Sequence, residues 1–281
     1  MNKKKQIEID ILSDISDIQE GRSQVIPIVG DGEDEPTENY SIPESLPILS
    51  LRSSVLFPGS ITPITVGREK SMKLIHDVEA GSGILGAVLQ KESDVEQPAP
   101  DDMYRIGTAA RILKTLDMPN GNLTVILHGL EKIEINEFLS SEPYLTATVV
   151  PLKDSSPAPN NVEFEALVES IKDVALNIIN VSPNIPKEAS FAIKNIDSKR
   201  GLINFICSNL DFDDADRQRL LEAPGLMTRA RRLLEILVRE QQLVEPKNKI
   251  QNKVKPDINH KQKKYYLKHH KRTITVNISE H

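Results

Sequence analysis

The chain has 281 residues, 38% of them hydrophobic, and its 35 Lys and Arg against 41 Asp and Glu give a formal net charge of −6. This length accommodates one or two domains with a substantial core, and no apolar run approaches the length of a membrane-spanning helix. The lone cysteine, Cys207, excludes an internal disulfide, and its apolar surroundings predict a reducing compartment and a buried thiol rather than a nucleophile.

The N-terminal segment is acidic and is broken by prolines. Residues 1–46 contain four Lys and Arg against eleven Asp and Glu. This composition is typical of a disordered arm, which we predict over residues 1–44. Glu8, Asp10 and Asp14 interrupt what would be the apolar core of a signal peptide, so a cytoplasmic protein with no membrane partner is expected.

Short β-like runs separated by turn residues predict a β-rich domain over residues 45–152. The runs are residues 47–51, 61–66, 84–89, 107–116, 123–127, 132–138 and 144–150. Asn120-Gly121, between two of these runs, is a strong hairpin signal. Many short strands with one inserted helix favour a small closed β-barrel, because closure removes exposed strand edges.

The inserted helix, predicted over residues 68–80, leads into Gly81-x-Gly83-x-x-Gly86, the letter pattern of a dinucleotide-binding loop. In such a loop the glycines follow a strand and open a helix, so that the pyrophosphate meets free N–H groups. Here the order is reversed, because the helix precedes the glycines and an apolar, strand-like run follows them. We therefore predict a turn without a nucleotide site, with Gly81 as the left-handed residue that ends the helix.

Two proline-containing features predict turns and edges in the β-rich part. Phe57-Pro58-Gly59 places a restricted φ beside a permissive residue, which predicts a sharp turn between two strands. Pro63 has no N–H for a sheet ladder, so it indicates an edge strand or the start of a strand.

Helical periodicity begins after a linker rich in Pro, Ser and Asn, predicted at residues 153–161. Apolar residues then recur every three or four positions, which predicts a helical bundle over residues 162–246. Its helices are predicted at residues 164–178, 187–196, 198–210 with Ser198 as the cap, 213–222, and 226 to the proline at 246. The last helix has one apolar face, which suits a bundle or a coiled-coil seam and is formed by Leu226, Ala230, Leu233 and Leu237.

The C-terminal segment, residues 247–281, is predicted to start a long helix and to end in a divergent basic tail. Residues 246–281 contain ten Lys and Arg against two Asp and Glu. The histidines of this segment lack a fixed Cys or carboxylate partner, so no metal site is predicted at His260, His269, His270 and His281. A solvated tail is favoured, and weak binding of nucleic-acid phosphates is the alternative that stays open.

The sequence resembles the N-terminal region of Lon, the ATP-dependent serine protease, over about residues 46–274. The resemblance rests on the stretch Leu46-Pro-Ile-Leu-Ser-Leu-Arg-Ser-Ser-Val-Leu-Phe-Pro-Gly-Ser-Ile-Thr-Pro-Ile-Thr-Val-Gly-Arg. Later matches are Gly107-Thr-Ala-Ala-Arg-Ile and Leu127-His-Gly-Leu-Glu-Lys-Ile, where the family often has Arg in place of Lys132, then Arg217-Gln-Arg-Leu-Leu-Glu and Lys249-Ile-Gln-Asn-Lys-Val. The resemblance implies an α+β fold in which a small PUA-like β-barrel with an inserted helix precedes a helical bundle and the start of a long helix.

The same resemblance implies a substrate-recognition and assembly region. In the family this region captures unfolded or degron-bearing proteins for an ATP-dependent serine endopeptidase, and the full-length protein uses ATP and Mg²⁺ and assembles as a hexamer. The sequence has no Gly-x-x-x-x-Gly-Lys-Ser/Thr loop and no recognisable Ser/Lys module, so no catalytic, cofactor-binding or metal-binding residue is assigned. We expect this chain alone to lack ATPase and protease activity, and to self-associate through its helical part.

Four residues are candidates for substrate contact, since an unfolded protein exposes apolar segments that bind apolar side chains. They are Met118 and Pro119 in the predicted hairpin loop, and Leu56 and Phe57 at the predicted strand turn. For Leu56 and Phe57 the core is the alternative location.

The last dozen residues lose the Lon pattern and are rich in His and Lys, which resembles out-of-frame translation. We therefore expect a Lon gene truncated by a frameshift or a stop, or one piece of a split copy. The alternatives are a stand-alone regulatory or nucleic-acid-binding module that uses the basic tail, and a relic that binds nothing.

Overall fold

The computed structural model describes residues 41–182, 185 and 188–243. They form a mixed α+β structure in which strands precede helices and one helix interrupts the strands. The strands are β1 Ser45–Leu51, β2 Ile61–Val66, β3 Ile84–Leu89, β4 Ile106–Asp117, β5 Leu123–Ser140 and β6 Thr146–Leu152. The helices are α1 Glu69–Ala80, α2 Val162–Val181, α3 Glu188–Asn195, α4 Lys199–Asn209 and α5 Asp214–Leu221, followed by α6 at residues 226–243. We call residues 45–152 the sheet unit and residues 162–243 the helical unit.

The pairing of the strands returns on itself. The strand order is β2-β5-β4-β3-β1-β6, and β6 also pairs with β5. One edge of β5 pairs with β4, while its other edge pairs first with β2, over residues 123–128, and then with β6, over residues 132–140. Strands β1, β3, β4, β5 and β6 therefore form a closed ring of pairings. Strand β2 is at the end of the order, as Pro63 indicated.

Strand β5 is continuous where the sequence predicted two strands, at residues 123–127 and 132–138. Between those runs, Gly129 stays in the ladder, with its N–H donating to the Ser60 carbonyl at 2.9 Å and its carbonyl accepting from Gly59 at 2.8 Å. A β-carbon on Gly129 would overlap the carbonyl oxygen of Phe57. This glycine therefore allows close backbone approach rather than a turn, and the two-strand prediction is wrong.

The turn from α1 to β3 has the predicted helix–turn–strand order, but its left-handed residue is different. Gly81 has a φ of −112° and Gly83 a φ of 69°, so the prediction of a left-handed Gly81 is wrong. The N–H groups of both glycines donate to the carbonyl of Val78, at 3.1 and 2.9 Å. Carbonyl capping at the helix end thus moves the positive φ two residues downstream.

Apolar side chains of the described residues form three clusters. One lies among the strands of the ring and includes Leu46, Val88 and Ile133, and a second packs α1 through Leu74 and Ile75 against the sheet. The third fills the helical unit and includes the predicted apolar face of α6, Leu226, Ala230, Leu233 and Leu237. Burial of these side chains is the main stabilising contribution to the fold.

Side chains cap the N-termini of two helices by hydrogen bonds. The Ser198 hydroxyl accepts from the N–H of Gly201 at 3.1 Å, which confirms Ser198 as the cap of α4. The side chain of Asn161 caps α2 in the same way, accepting from the N–H of Phe164 at 2.9 Å. The helical unit therefore starts at a defined residue, directly after the predicted linker.

Candidate functional site

The β4–β5 hairpin places two candidate contact residues at the surface. The Met118 N–H donates to the Asn122 carbonyl, and the Gly121 N–H donates to the Met118 carbonyl, both at 2.9 Å. Gly121 has a φ of 82°, and the Asn120 side chain accepts from the Asn122 N–H at 3.1 Å. Pro119 is exposed and Met118 is half-buried. The hairpin thus presents an apolar tip on a backbone that several hydrogen bonds hold in place.

The other two candidates, Leu56 and Phe57, lie in the core. Their exposed fractions are 2% and 0%. The Leu56 carbonyl accepts from the Thr108 hydroxyl at 2.6 Å, and Phe57 belongs to the apolar cluster of the helical unit. Side chains covered in this way are not available to a partner at the surface. Direct substrate contact by Leu56 and Phe57 is therefore corrected in favour of the core alternative.

The Phe57-Pro58-Gly59 turn of the sheet unit contacts the helical unit. Gly59 has a φ of 79°, and the Ser60 hydroxyl donates to the Phe57 carbonyl at 2.6 Å. The side chain of Asn204, on α4, donates to the Pro58 carbonyl at 2.9 Å. The sharp turn that the sequence predicted is confirmed, and α4 of the helical unit is hydrogen-bonded to it.

Three charged side chains are buried together where β5, the 153–161 connection and α6 meet. Lys132, Asp154 and Arg229 have exposed side-chain fractions of 5%, 5% and 0%. Lys132 Nζ lies 2.5 Å from Asp154 Oδ1, and Arg229 Nη2 lies 2.7 Å from Oδ2. The Arg229 contact lacks hydrogen-bond alignment and is an ion pair. The Asp154 carboxylate is thus the counter-ion of one cation from each unit.

The other donors of these two cations face neutral oxygens. Lys132 Nζ donates to the Ala223 carbonyl at 2.8 Å, and Arg229 Nε donates to the Leu220 carbonyl at 3.0 Å. Arg229 Nη1 donates to Asn204 Oδ1 at 3.1 Å. Leu220 is in the last turn of α5 and Ala223 follows it, so both carbonyls lie at the negative end of that helix. The end of α5 therefore adds partial negative charge beside two buried cations.

The connection between the units was predicted from its composition alone, and the role of Asp154 was missed. The next residue, Ser155, pairs with Gly225, and its carbonyl accepts from the Leu226 N–H at 2.9 Å. A β-carbon on Gly225 would overlap the Ser155 side chain. The sequence contained two signals, a lysine at a Lon landmark and a glycine before a helix, but neither of them identifies Asp154 as the partner.

Exposed apolar side chains occur on both units. The most exposed are Val162 at 79% and Phe191 at 72% in the helical unit, and Leu139 at 54% and Val150 at 51% on β5 and β6. Single apolar residues are normal on a protein surface, and these residues have no feature that distinguishes a binding site.

Cys207 is fully buried in α4, and burial raises the pKa of its thiol from 9.0 to about 12. This confirms the prediction of a buried thiol, because a thiol with so high a pKa is a poor nucleophile at neutral pH.

The described part of the chain contains neither a metal-binding cluster nor a helix suited to a membrane. Within it, no three His, Cys, Asp or Glu side chains are placed to hold a metal ion. No helix among the same residues is both long and apolar enough to cross a bilayer. The acidic residues 1–40, the basic tail and His260, His269, His270 and His281 lie outside the described residues.

Comparison with known proteins identifies a family and its full-length members. A family model described as the ATP-dependent protease La (LON) substrate-binding domain matches residues 45–239. The Lon protease of Flavobacterium johnsoniae is 45% identical over 276 residues, which are 98% of this chain and 33% of the relative. That of Parabacteroides distasonis is 38% identical over 274 residues, 96% of this chain and 33% of the relative. The chain thus spans about a third of the length of these curated relatives.

A solved structure gives the same fold. The N-terminal domain of Mycobacterium avium complex Lon protease aligns with a TM-score of 0.55 at 20% identity, covering 69% of this chain and 98% of that domain. The region matched by the family model contains the hairpin, the whole sheet unit, the helical unit as far as residue 239 and the three buried charges.

Proposed function

Because this chain belongs to the family of LON substrate-binding domains, we propose that its sheet unit recognises unfolded or degron-bearing proteins for a Lon-type ATP-dependent protease. The observation that carries the proposal is the match over residues 45–239, which includes every strand and the exposed hairpin. Met118 and Pro119 at the hairpin tip are the proposed contacts.

The chemistry of the hairpin suits a partner without a fixed shape. A methionine side chain is flexible and polarisable, so it adapts to many apolar sequences. Covering one such side chain contributes at most about 1.5–3 kcal/mol, which makes a single contact weak. Self-association through the helical unit is part of the proposal, since several copies that engage one unfolded chain multiply weak contacts by avidity.

The proposal is tested by the binding of a fluorescent, permanently denatured model protein to the full chain, measured by anisotropy. Met118→Asp places a charge at the tip and is expected to weaken binding while leaving the thermal midpoint little changed. Phe191→Asp is the matched control, because it places the same charge on an exposed apolar residue of the helical unit and is expected to bind as the wild type does. Unchanged affinity of Met118→Asp, or equal losses in both variants, removes the hairpin from the recognition surface.

Raised salt separates this function from nucleic-acid binding by the basic tail. Apolar capture persists as ionic strength increases, whereas contacts with phosphates weaken steeply because each contact releases condensed counterions. The purified chain is expected to hydrolyse neither ATP nor peptide. Measurable turnover, or the absence of any binding to the denatured protein, contradicts the proposal.

A further inference from the structure

We propose that Asp154 is an electrostatic latch, the shared counter-ion that holds the helical unit in one orientation on the sheet unit. The inference goes beyond substrate recognition, because it concerns how the two units are held together. Asp154 lies two residues after β6 ends, on the connection between the units. Lys132 reaches it from β5 and Arg229 reaches it from α6, at 2.5 and 2.7 Å.

The buried cluster contains more positive than negative charges, so its stability depends on the Asp154 carboxylate. Two buried cations, Lys132 and Arg229, face the single buried anion. A third cation, Arg200, has its Nη1 3.5 Å from Asp154 Oδ2, and 27% of its side chain is exposed. The remaining contacts of the two buried cations are with neutral oxygens. Neutralising Asp154 therefore leaves two desolvated cations close together without an anion, which is strongly unfavourable.

Neutralising Asp154 destabilises the contact between the sheet unit and the helical unit more than the apolar packing within either unit. The sheet unit has two apolar clusters of its own, and the helices share a third with only a few sheet-unit residues, among them Val55, Phe57 and Leu89. Apart from the charged cluster, side-chain hydrogen bonds between the units include Asn204 to the Pro58 carbonyl and Gln218 to the Ile106 carbonyl, both at 2.9 Å. Separation at the junction gives the cations access to water while both cores stay packed.

The charge imbalance predicts an order among three variants. Asp154→Asn leaves both cations unpaired and releases the latch. Lys132→Met removes one cation, but Asp154 stays fixed to the sheet unit two residues after β6 and stays paired with Arg229, so the latch holds. Combining the two substitutions leaves one buried cation instead of two and restores part of what Asp154→Asn alone loses. A merely space-filling role for these residues predicts no such restoration.

The experiment measures the distance between spin labels on the two units of the full chain by electron–electron double resonance. Labels on cysteines at exposed Glu79 of α1 and exposed Asp173 of α2, in a Cys207→Ala background, report the orientation. Asp154→Asn is expected to lose the single narrow distance distribution while keeping its helical circular dichroism. Lys132→Met is expected to keep the narrow distribution, and the double variant to recover part of it.

Glu163→Gln is the matched control, because it removes an exposed ion pair between α2 and Arg231 and is expected to leave the distribution unchanged. A single narrow distribution in Asp154→Asn overturns the latch, as does a double variant as broad as Asp154→Asn alone. If Asp154→Asn does not fold, the double variant decides, because the latch requires it to fold and to regain part of the narrow distribution. Its failure to do so overturns the proposal. Denatured-protein binding by the hairpin is read separately, so the two proposals fail independently.

Discussion

The carbonyl oxygen of Phe57 lies against the α-carbon of Gly129, so close that a β-carbon on residue 129 would overlap it. The backbone on both sides is held, because Gly59 donates to the Gly129 carbonyl at 2.8 Å and Gly129 donates to the Ser60 carbonyl at 2.9 Å. The turn and the strand cannot separate without losing these bonds. Close approach at this one glycine fixes the turn on which the helical unit rests.

Gly129→Ala is therefore expected to lower the free energy of unfolding by about 2–3 kcal/mol, because the added methyl group forces the backbone apart. Gly83→Ala is the control, since Gly83 has a φ of 69° and open space around it. It is expected to lose only about 1 kcal/mol from backbone strain. Urea denaturation measures both values, and a Gly129 loss no larger than the Gly83 loss would contradict the close approach.

Arg68 is expected to hold the loop after β3, and Arg68→Met to release it. Its guanidinium donates to Ser50 Oγ at 2.9 Å, to Gln90 Oε1 at 2.8 Å and to the Val95 carbonyl at 2.9 Å. Gln90 is 2% exposed, so losing this donor leaves a buried acceptor unpaired at a cost of roughly 1–3 kcal/mol. Amide hydrogen exchange around residue 95 should become faster.

Arg52→Met tests whether this effect depends on burial. Arg52 pairs with Glu96 of the same loop at 2.9 Å, but the two side chains are 44% and 77% exposed. Exposed pairs contribute at most about 1 kcal/mol, so hydrogen exchange in the loop should change little. Equal acceleration in the two variants would show that Arg68 is not the anchor.

Phe57 is expected to stabilise the junction as a core residue. Phe57→Ala should lower the free energy of unfolding by about 3–5 kcal/mol, because it leaves a cavity between the turn and the helices. Phe191→Ala removes the same ring from a residue that is 72% exposed, and should change stability by no more than about 0.5 kcal/mol. Thermal denaturation compares the two variants. A small loss of stability in Phe57→Ala would show that Phe57 is not a core residue and would make it a candidate for surface contact again.

Cys207 is expected to make stability depend on alkaline pH. Burial holds the pKa of its thiol at about 12 in the folded state, against 9.0 for a free thiol. Above pH 9 the unfolded chain therefore releases a proton that the folded chain keeps. The contribution of the protonated thiol to the free energy of unfolding is fully present below pH 9. It declines by up to about 1.4 kcal/mol per pH unit as the pH rises toward 12.

The measurement is the difference in free energy of unfolding between the wild type and Cys207→Ala at several pH values. The cavity left by alanine adds a constant to this difference, so only its slope with pH reports the thiol. A difference that stays flat from pH 8 to 11 would show that the buried thiol is not responsible.

Local patterns in the sequence predicted most elements and the hairpin that contains Met118 and Pro119. The runs at residues 61–66 and 84–89 became β2 and β3 with the same bounds, because short runs with β-branched residues bounded by turn residues are local signals. Gly129 was misread because a glycine between two apolar runs indicates a turn as readily as close backbone approach. Leu56 and Phe57 were ambiguous for a similar reason, since an apolar pair beside a turn has the same sequence pattern whether or not another unit covers it.

The sequence by itself determined the α+β class, the order of the elements, the hairpin at Asn120-Gly121 and the resemblance to Lon. Each depends on residues close together in the chain, where the periods of strands and helices and the φ preferences of glycine and proline act directly. Only the tertiary structure decided that Lys132 meets Asp154 and, 91 residues along the chain, the carbonyl of Ala223. Charge partners are selected by proximity and shared burial in the folded molecule, and no local period encodes that proximity.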